Sequence, residues 1–377
     1  MLLTYHRLIL SLLAGWLTVG FSFAAEPADD AATGPWVTSI ATVGDGSQIA
    51  IASAQGLLLR EGEVMLASTE TPASPTVAYQ QPAAVWAVSG SSDGKYLAST
   101  DYRGNLAIHD FQASETQHHD KAMERWTRAL CFSPDSKHVV GGNEAGKLFV
   151  WNLEEKKVEK THELDPQAVM DIQFSPAGDL LAVSDGGGHV HLLKWPSLEE
   201  TAAITVCDQP VWSVVFAGNG LVAGAADNRI YYLEQSGGEA KEIAKLTDWV
   251  SDLAVGPTGL IAAAEIGGRV QIMTSEGQPV GAPADAPSGV WTLHWTNDGK
   301  LLVGTRKHGL QMMQQTWNWV EPPTAEEKPA EEKPAEEKPA EEKPAEEKPA
   351  EEKPAEEKPA EEKPAEEKPA EEKQEAP

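Results

Sequence analysis

The sequence predicts an all-β fold, a seven-bladed β-propeller of four-stranded antiparallel blades with a disordered C-terminal tail. Two observations carry that expectation. One segment recurs seven times in a single register, and each copy places a turn-forming residue, mostly glycine, at a fixed distance from its start. Helical periodicity is nearly absent.

The N-terminus reads as an export signal. His6 and Arg7 form a short basic region, Leu8 to Phe23 is an apolar run, and Ser22-Phe23-Ala24 offers small residues at the two positions a signal peptidase checks. Residues 1–24 are therefore expected to be removed, leaving the protein exported, periplasmic or extracellular, with no stable membrane span. An uncleaved anchor is the alternative, because the run approaches bilayer-spanning length. Residues 25–35, rich in Ala, Asp and Pro, form a lead without strand character.

The repeats occupy residues 36–321. Their anchors are Val37, Val85, Thr127, Val169, Val211, Val250 and Val290, spaced by 39 to 48 residues. Three residues after each stands an aliphatic side chain: Ile40, Val88, Leu130, Ile172, Val214, Leu253 or Leu293. Nine residues after each comes Gly46, Gly94, Ser136, Gly178, Gly220, Gly259 or Gly299, where a hairpin turn is expected. Second turns follow at Gly56, Gly104, Gly146, Gly188, Asn228, Gly268 and Gly309. Third strands are expected at Leu106 to His109, Leu148 to Trp151 and Val270 to Met273. More polar fourth strands follow at Lys156 to Thr161, Thr201 to Val206 and Glu242 to Leu246. A single blade leaves two apolar faces open, so the blades must stack, and seven wedges close a ring. For the last blade, Trp317 to Val320 is expected to supply the outer strand, making every blade continuous in sequence.

At Phe132-Ser133-Pro134-Asp135 and Phe174-Ser175-Pro176-Ala177-Gly178, and at the strand ending Phe149-Val150-Trp151-Asn152, the chain resembles the WD40-repeat family. The Gly-His pair that opens a typical repeat is missing, and only Trp151-Asn152 and His109-Asp110 approximate its closing Trp-Asp. Asp101, Asp185 and Asp227 are then turn formers rather than members of the family's buried hydrogen-bond set. The Phe-Ser-Pro turn also occurs in six-bladed periplasmic propellers resembling the TolB family; seven units favour the former.

The tail, residues 322–377, contains ten copies of Ala-Glu-Glu-Lys-Pro, the last with Gln374 in place of proline. Regular proline and the lack of any large apolar group predict an extended, disordered segment. It is either a solubilising tail or a weak electrostatic contact with a basic partner or the cell envelope. Residues 325–377 carry a net charge of −11 and residues 25–324 a net −18, with no Lys/Arg cluster, so nucleic acid is excluded as a partner.

Candidate binding residues stand beside the anchors. Trp36, Trp126 and Trp249 lie one position before, and Trp86, Met170, Trp212 and Trp291 one position after. These positions share strand parity, so all seven side chains are expected on one face, as a ring at the mouth of the central channel. They either extend the apolar packing between blades or form an amphipathic platform for a protein loop, peptide or glycan. Histidine is less informative. His118, His119 and Asp120 are placed in a loop, and His189 and His191 share a strand face without a third ligand at recognisable spacing. Cys131 and Cys207 fall in different repeats and read as small buried groups rather than a disulfide. No haem motif, phosphate loop or nucleophile elbow is present, and no catalytic, cofactor or metal residues are assigned. The expected function is a non-catalytic protein-interaction scaffold. The alternatives are a lactonase-like or dehydrogenase-like propeller enzyme with its site at the channel, or a structural component of an envelope assembly complex.

Overall fold

A computed structural model describes residues 34–56 and 58–314, and the backbone of 319–320. The signal, nearly all of the lead and the tail lie outside the described residues. Seven four-stranded antiparallel sheets follow one another along the chain, β1 to β28, with no helix among the described residues and hence none long and apolar enough to cross a membrane. The innermost strands are β1 (Trp36–Val43), β5 (Val85–Gly90), β9 (Thr127–Phe132), β13 (Val169–Phe174), β17 (Val211–Ala217), β21 (Val250–Val255) and β25 (Val290–Trp295). All but the first begin on the anchor residue.

The turns follow the sequence pattern. At the first hairpins, positive φ falls where expected in six blades, including the non-glycine Ser136 at φ 56°. The fifth blade differs: Gly218 takes the positive φ, and Gly220 already belongs to strand β18 (Gly220–Ala225). His118 and His119 are not in a loop. They end the fourth strand of blade 2, β8 (Glu115–His119), because this edge pairs along its whole length with β7 (Leu106–Asp110).

The last blade is completed from within. β28 (Trp319–Val320) pairs with β27 (Leu310–Met313), two residues of the expected four-residue strand. Ring closure is by packing: Val37, Ile40, Ile49 and Ile51 of blade 1 meet Leu302 and Met312 of blade 7 in one buried cluster. Each of the other six junctions has its own cluster, such as Leu192 and Ile204 of blade 4 against Val211, Val214 and Leu221 of blade 5. The core is therefore a circle of seven slabs rather than a ball. Burying both faces of every sheet in this way is what lets short strands with small residues, such as Ile261–Glu265, form a stable sheet. Cys131 and Cys207 are free, as expected, but only partly buried, one facing the channel and one packed against the core between blades 4 and 5.

Candidate functional site

Every inner strand carries a bulge directly after its anchor. The pairing skips Thr38, Trp86, Arg128, Met170, Trp212, Ser251 or Trp291, the residue directly after the anchor. A bulge adds an unpaired residue and re-aims its side chain. That breaks the parity argument for a ring of seven. Trp86, Met170, Trp212 and Trp291, after the anchors, line the channel; Trp36, Trp126 and Trp249, before them, do not. Four of the rings nonetheless join in a chain of contacts: Trp36 to Trp291 at 6.2 Å between centroids, Trp291 to Trp86 at 5.7 Å and Trp86 to Trp126 at 5.6 Å. Trp86, Trp126 and Met170 are buried, whereas Trp36, Trp212, Trp249 and Trp291 are partly exposed. The outcome is a cluster on one side of the mouth, not a full circle.

Across the mouth the chemistry changes. Arg128 occupies the bulge position of blade 3 and lays its guanidinium over the Trp212 ring, 4.6 Å from the centroid. One position further along the neighbouring strands stand Asp171, Ser213 and Asp252. Their side chains close the inner edge of the ring, where a strand's N–H groups have no further strand to pair with. Asp171 Oδ2 accepts from Val214 N at 3.0 Å, Ser213 Oγ from Leu253 N at 3.1 Å and Asp252 Oδ2 from Leu293 N at 2.7 Å. Ser39 Oγ does the same for Val88 N at 3.3 Å.

The acidic pair is strained by its surroundings. Ser213 Oγ lies 3.2 Å from Asp171 and 3.1 Å from Asp252, yet one hydroxyl has one proton to give. Burial raises the Asp171 carboxyl above its usual range. Burial, with the Asp171 charge behind it, pushes Asp252 up to about 7. A protonated Asp252 completes the set by donating to Ser213, which donates to Asp171. Other channel groups are quiet. Burial raises the Cys131 thiol, helped by Asp171, so it is no thiolate nucleophile, and burial lowers His294 to about 4, leaving it neutral against Thr42 Oγ1 at 2.6 Å. The channel encloses about 540 Å³. Among the described residues, the indole N–H groups of Trp86, Trp126, Trp212 and Trp291 are buried with no acceptor.

A second cluster sits in blade 4, at the end of the sheet where its inner strand starts. Asp101 and Asp227 act as turn formers, their carboxylates accepting backbone N–H groups just beyond them. Asp185 does this and more. Its Oδ1 accepts from Gly187 N and His189 N, while its Oδ2 lies 3.3 Å from His189 Nδ1 and 3.3 Å from His191 Nε2. Glu200 then accepts from His191 Nδ1 at 2.8 Å. Arg128, Asp171, Asp252 and His294, and the carboxylate partners of the two histidines, were not singled out as site residues by sequence pattern.

No family model matches the chain. Over 150 residues it is 25% identical to a mouse (Mus musculus) protein, guanine nucleotide-binding protein subunit beta-like protein 1, covering 39% of this chain and 46% of the relative. Over 105 residues it is 25% identical to the meiotic recombination protein rec14 of Schizosaccharomyces pombe, covering 28% of this chain and 35% of the relative. Both are WD40-repeat proteins, and the present fold has the seven four-stranded blades that the repeat resemblance implies. The chain is a seven-bladed propeller that is similar, over part of its length, to WD40-repeat proteins. It spans less than half the length of each of these relatives.

Proposed function

We propose that this WD40-repeat propeller is an exported, non-catalytic scaffold that receives a loop or extended segment of a protein partner at its channel mouth. One observation carries the reading: three buried indole N–H donors without acceptors, those of Trp86, Trp212 and Trp291, belong to side chains lining a channel that also holds Arg128. Buried indoles ordinarily find a partner. Unpaired donors around a concavity match a ligand rich in acceptors, and peptide carbonyls or a carboxylate side chain are such a ligand. The aromatic bodies beside them supply the apolar contact area typical of binding hot spots.

An enzyme on the same scaffold is favoured by one specific feature, the Asp171 and Asp252 pair facing the channel with a carboxyl titrating at about 7. Against it, both carboxylates are committed to backbone N–H groups of the next blade, the role that Ser39 and Ser213 fill elsewhere.

The test is site-specific photocrosslinking from the Trp291 position in a cell-envelope extract, comparing the otherwise unaltered chain with Trp212→Ala and Arg128→Lys, both first shown to be fully folded at the assay temperature. A discrete crosslinked protein whose yield falls at least tenfold in both variants supports the scaffold. Equal crosslinking in all three, or none together with turnover of a small substrate that Asp252→Asn abolishes, overturns it.

A further inference from the structure

We propose that Asp185, His189 and His191 of blade 4 form a binding site for a divalent transition-metal ion of the zinc class, with Glu200 as the group that orients His191. The three ligand atoms lie within 4.8 Å of one another. They come from two adjacent strands, β14 (Leu180–Asp185) and β15 (His189–Lys194), joined by the turn that Asp185 itself ties down.

The distances suit a metal site as well as a hydrogen-bonded trio. Charge-assisted N–H···O bonds run about 2.7–2.9 Å. The bond from His191 Nδ1 to Glu200 obeys that, at 2.8 Å, but both imidazole contacts to Asp185 Oδ2 are stretched to 3.3 Å. Ligands held about 2.0–2.1 Å from a tetrahedral ion are separated by an edge of about 3.3–3.4 Å. The two long contacts therefore have the length of coordination edges.

The supporting groups have the arrangement such a site needs. Oδ1 of Asp185 is occupied by Gly187 N and His189 N, which leaves Oδ2 for an ion. Glu200, on β16 (Glu200–Thr205), accepts a hydrogen bond from His191 Nδ1–H, which leaves the Nε2 lone pair for an ion beside Oδ2. The Asp185 and His191 side chains are 1% and 5% exposed, and His189, at 30%, is the side from which an ion reaches them. Two imidazoles and one carboxylate suit zinc, and three protein ligands leave a fourth position for water. Gly188 closes the turn at φ 91°, where an added Cβ would strike the Cys207 carbonyl, so the loop has little freedom to collapse away from the site.

Chelator-treated full-length protein is titrated with Zn2+ by calorimetry, and with Co2+ while visible absorption is recorded. The expected result is one saturable equivalent with Kd in the micromolar range or tighter and the intense Co2+ bands of a tetrahedral site. His189→Ala and His191→Ala are each expected to weaken binding at least a hundredfold, and Glu200→Gln by about 10–100-fold with the stoichiometry unchanged. Carboxylates of the Glu-rich tail give only weak uptake that these substitutions leave alone. Should His191→Ala fail to fold, His189→Ala, altering a partly exposed ring, decides the matter. Zn2+ uptake that is the same in wild type and His189→Ala, or Co2+ spectra without tetrahedral bands, overturns the proposal.

Discussion

The two sides of the channel mouth solve one packing problem in different ways. Through blades 7, 1, 2 and 3 indoles meet in tilted and edge-to-face contacts, with Trp36, Trp291, Trp86 and Trp126 in a chain of rings. Through blades 4, 5 and 6 the position after the bulge holds Asp171, Ser213 and Asp252, linked through a shared hydroxyl, with Arg128 on Trp212 beside them in the channel. An indole wall is held by area removed from water and is insensitive to pH; a carboxylate-hydroxyl wall is held by directional bonds whose strength depends on proton count. One rim is thus fixed and the other adjustable.

The largest expected effect sharpens this contrast. Trp86 is 5% exposed and touches two other indoles, so Trp86→Ala is expected to cost about 3–5 kcal/mol in urea unfolding. Trp212 is partly exposed and its main polar attraction is the Arg128 stack, so Trp212→Ala is expected to cost about 1–2 kcal/mol. Equal losses at the two positions would break the distinction between the rims.

The pH response is the next largest. Asp252 titrates at about 7 in the folded protein, against about 3.9 in an unfolded chain. Between those values the folded state holds a proton that the unfolded state has released, so stability falls as pH rises toward 7 and the penalty is complete above it. Thermal midpoints measured from pH 5 to pH 8.5 are expected to fall less steeply in Asp252→Asn than in wild type. Comparing slopes removes the pH-independent cost of exchanging a carboxylate for an amide at Leu293 N. Parallel curves would place the titration elsewhere.

The fold was legible because the anchor, the aliphatic residue three positions on and the turn residue recur in all seven units, so one misread blade does not upset the register. The site was legible only in part. Trp86, Trp212 and Trp291 were identifiable as large side chains beside anchors, but the bulge that turns them into the channel is a backbone irregularity with no residue signature. It separated them from Trp36, Trp126 and Trp249, which the alternation rule had joined to them. A signal did exist for the polar rim: Arg128, Asp171 and Asp252 are charges in otherwise apolar inner strands, an expensive placement unless paired. Asp185 and Glu200 were harder, because their spacing to the histidines is set by hairpin register, which brings separated strands together.

The smallest expected effect tests whether the serine links are equivalent. Ser39 Oγ accepts from Val88 N on the aromatic side, and Ser213 Oγ accepts from Leu253 N on the acidic side. Each lost bond is worth about 0.5–1.5 kcal/mol, so the two alanine variants are expected to lose similar amounts at pH 5. Ser213 is also the hydroxyl between two carboxylates. As Asp252 ionises, removing that hydroxyl leaves facing negative charges with no donor between them, so the Ser213→Ala penalty is expected to grow between pH 6 and pH 8 while that of Ser39→Ala stays flat. Urea unfolding of both variants at the two ends of that range measures it. A flat response in both would reduce Ser213 to a backbone link like Ser39, and would leave Arg128 as the group that holds the acidic rim together.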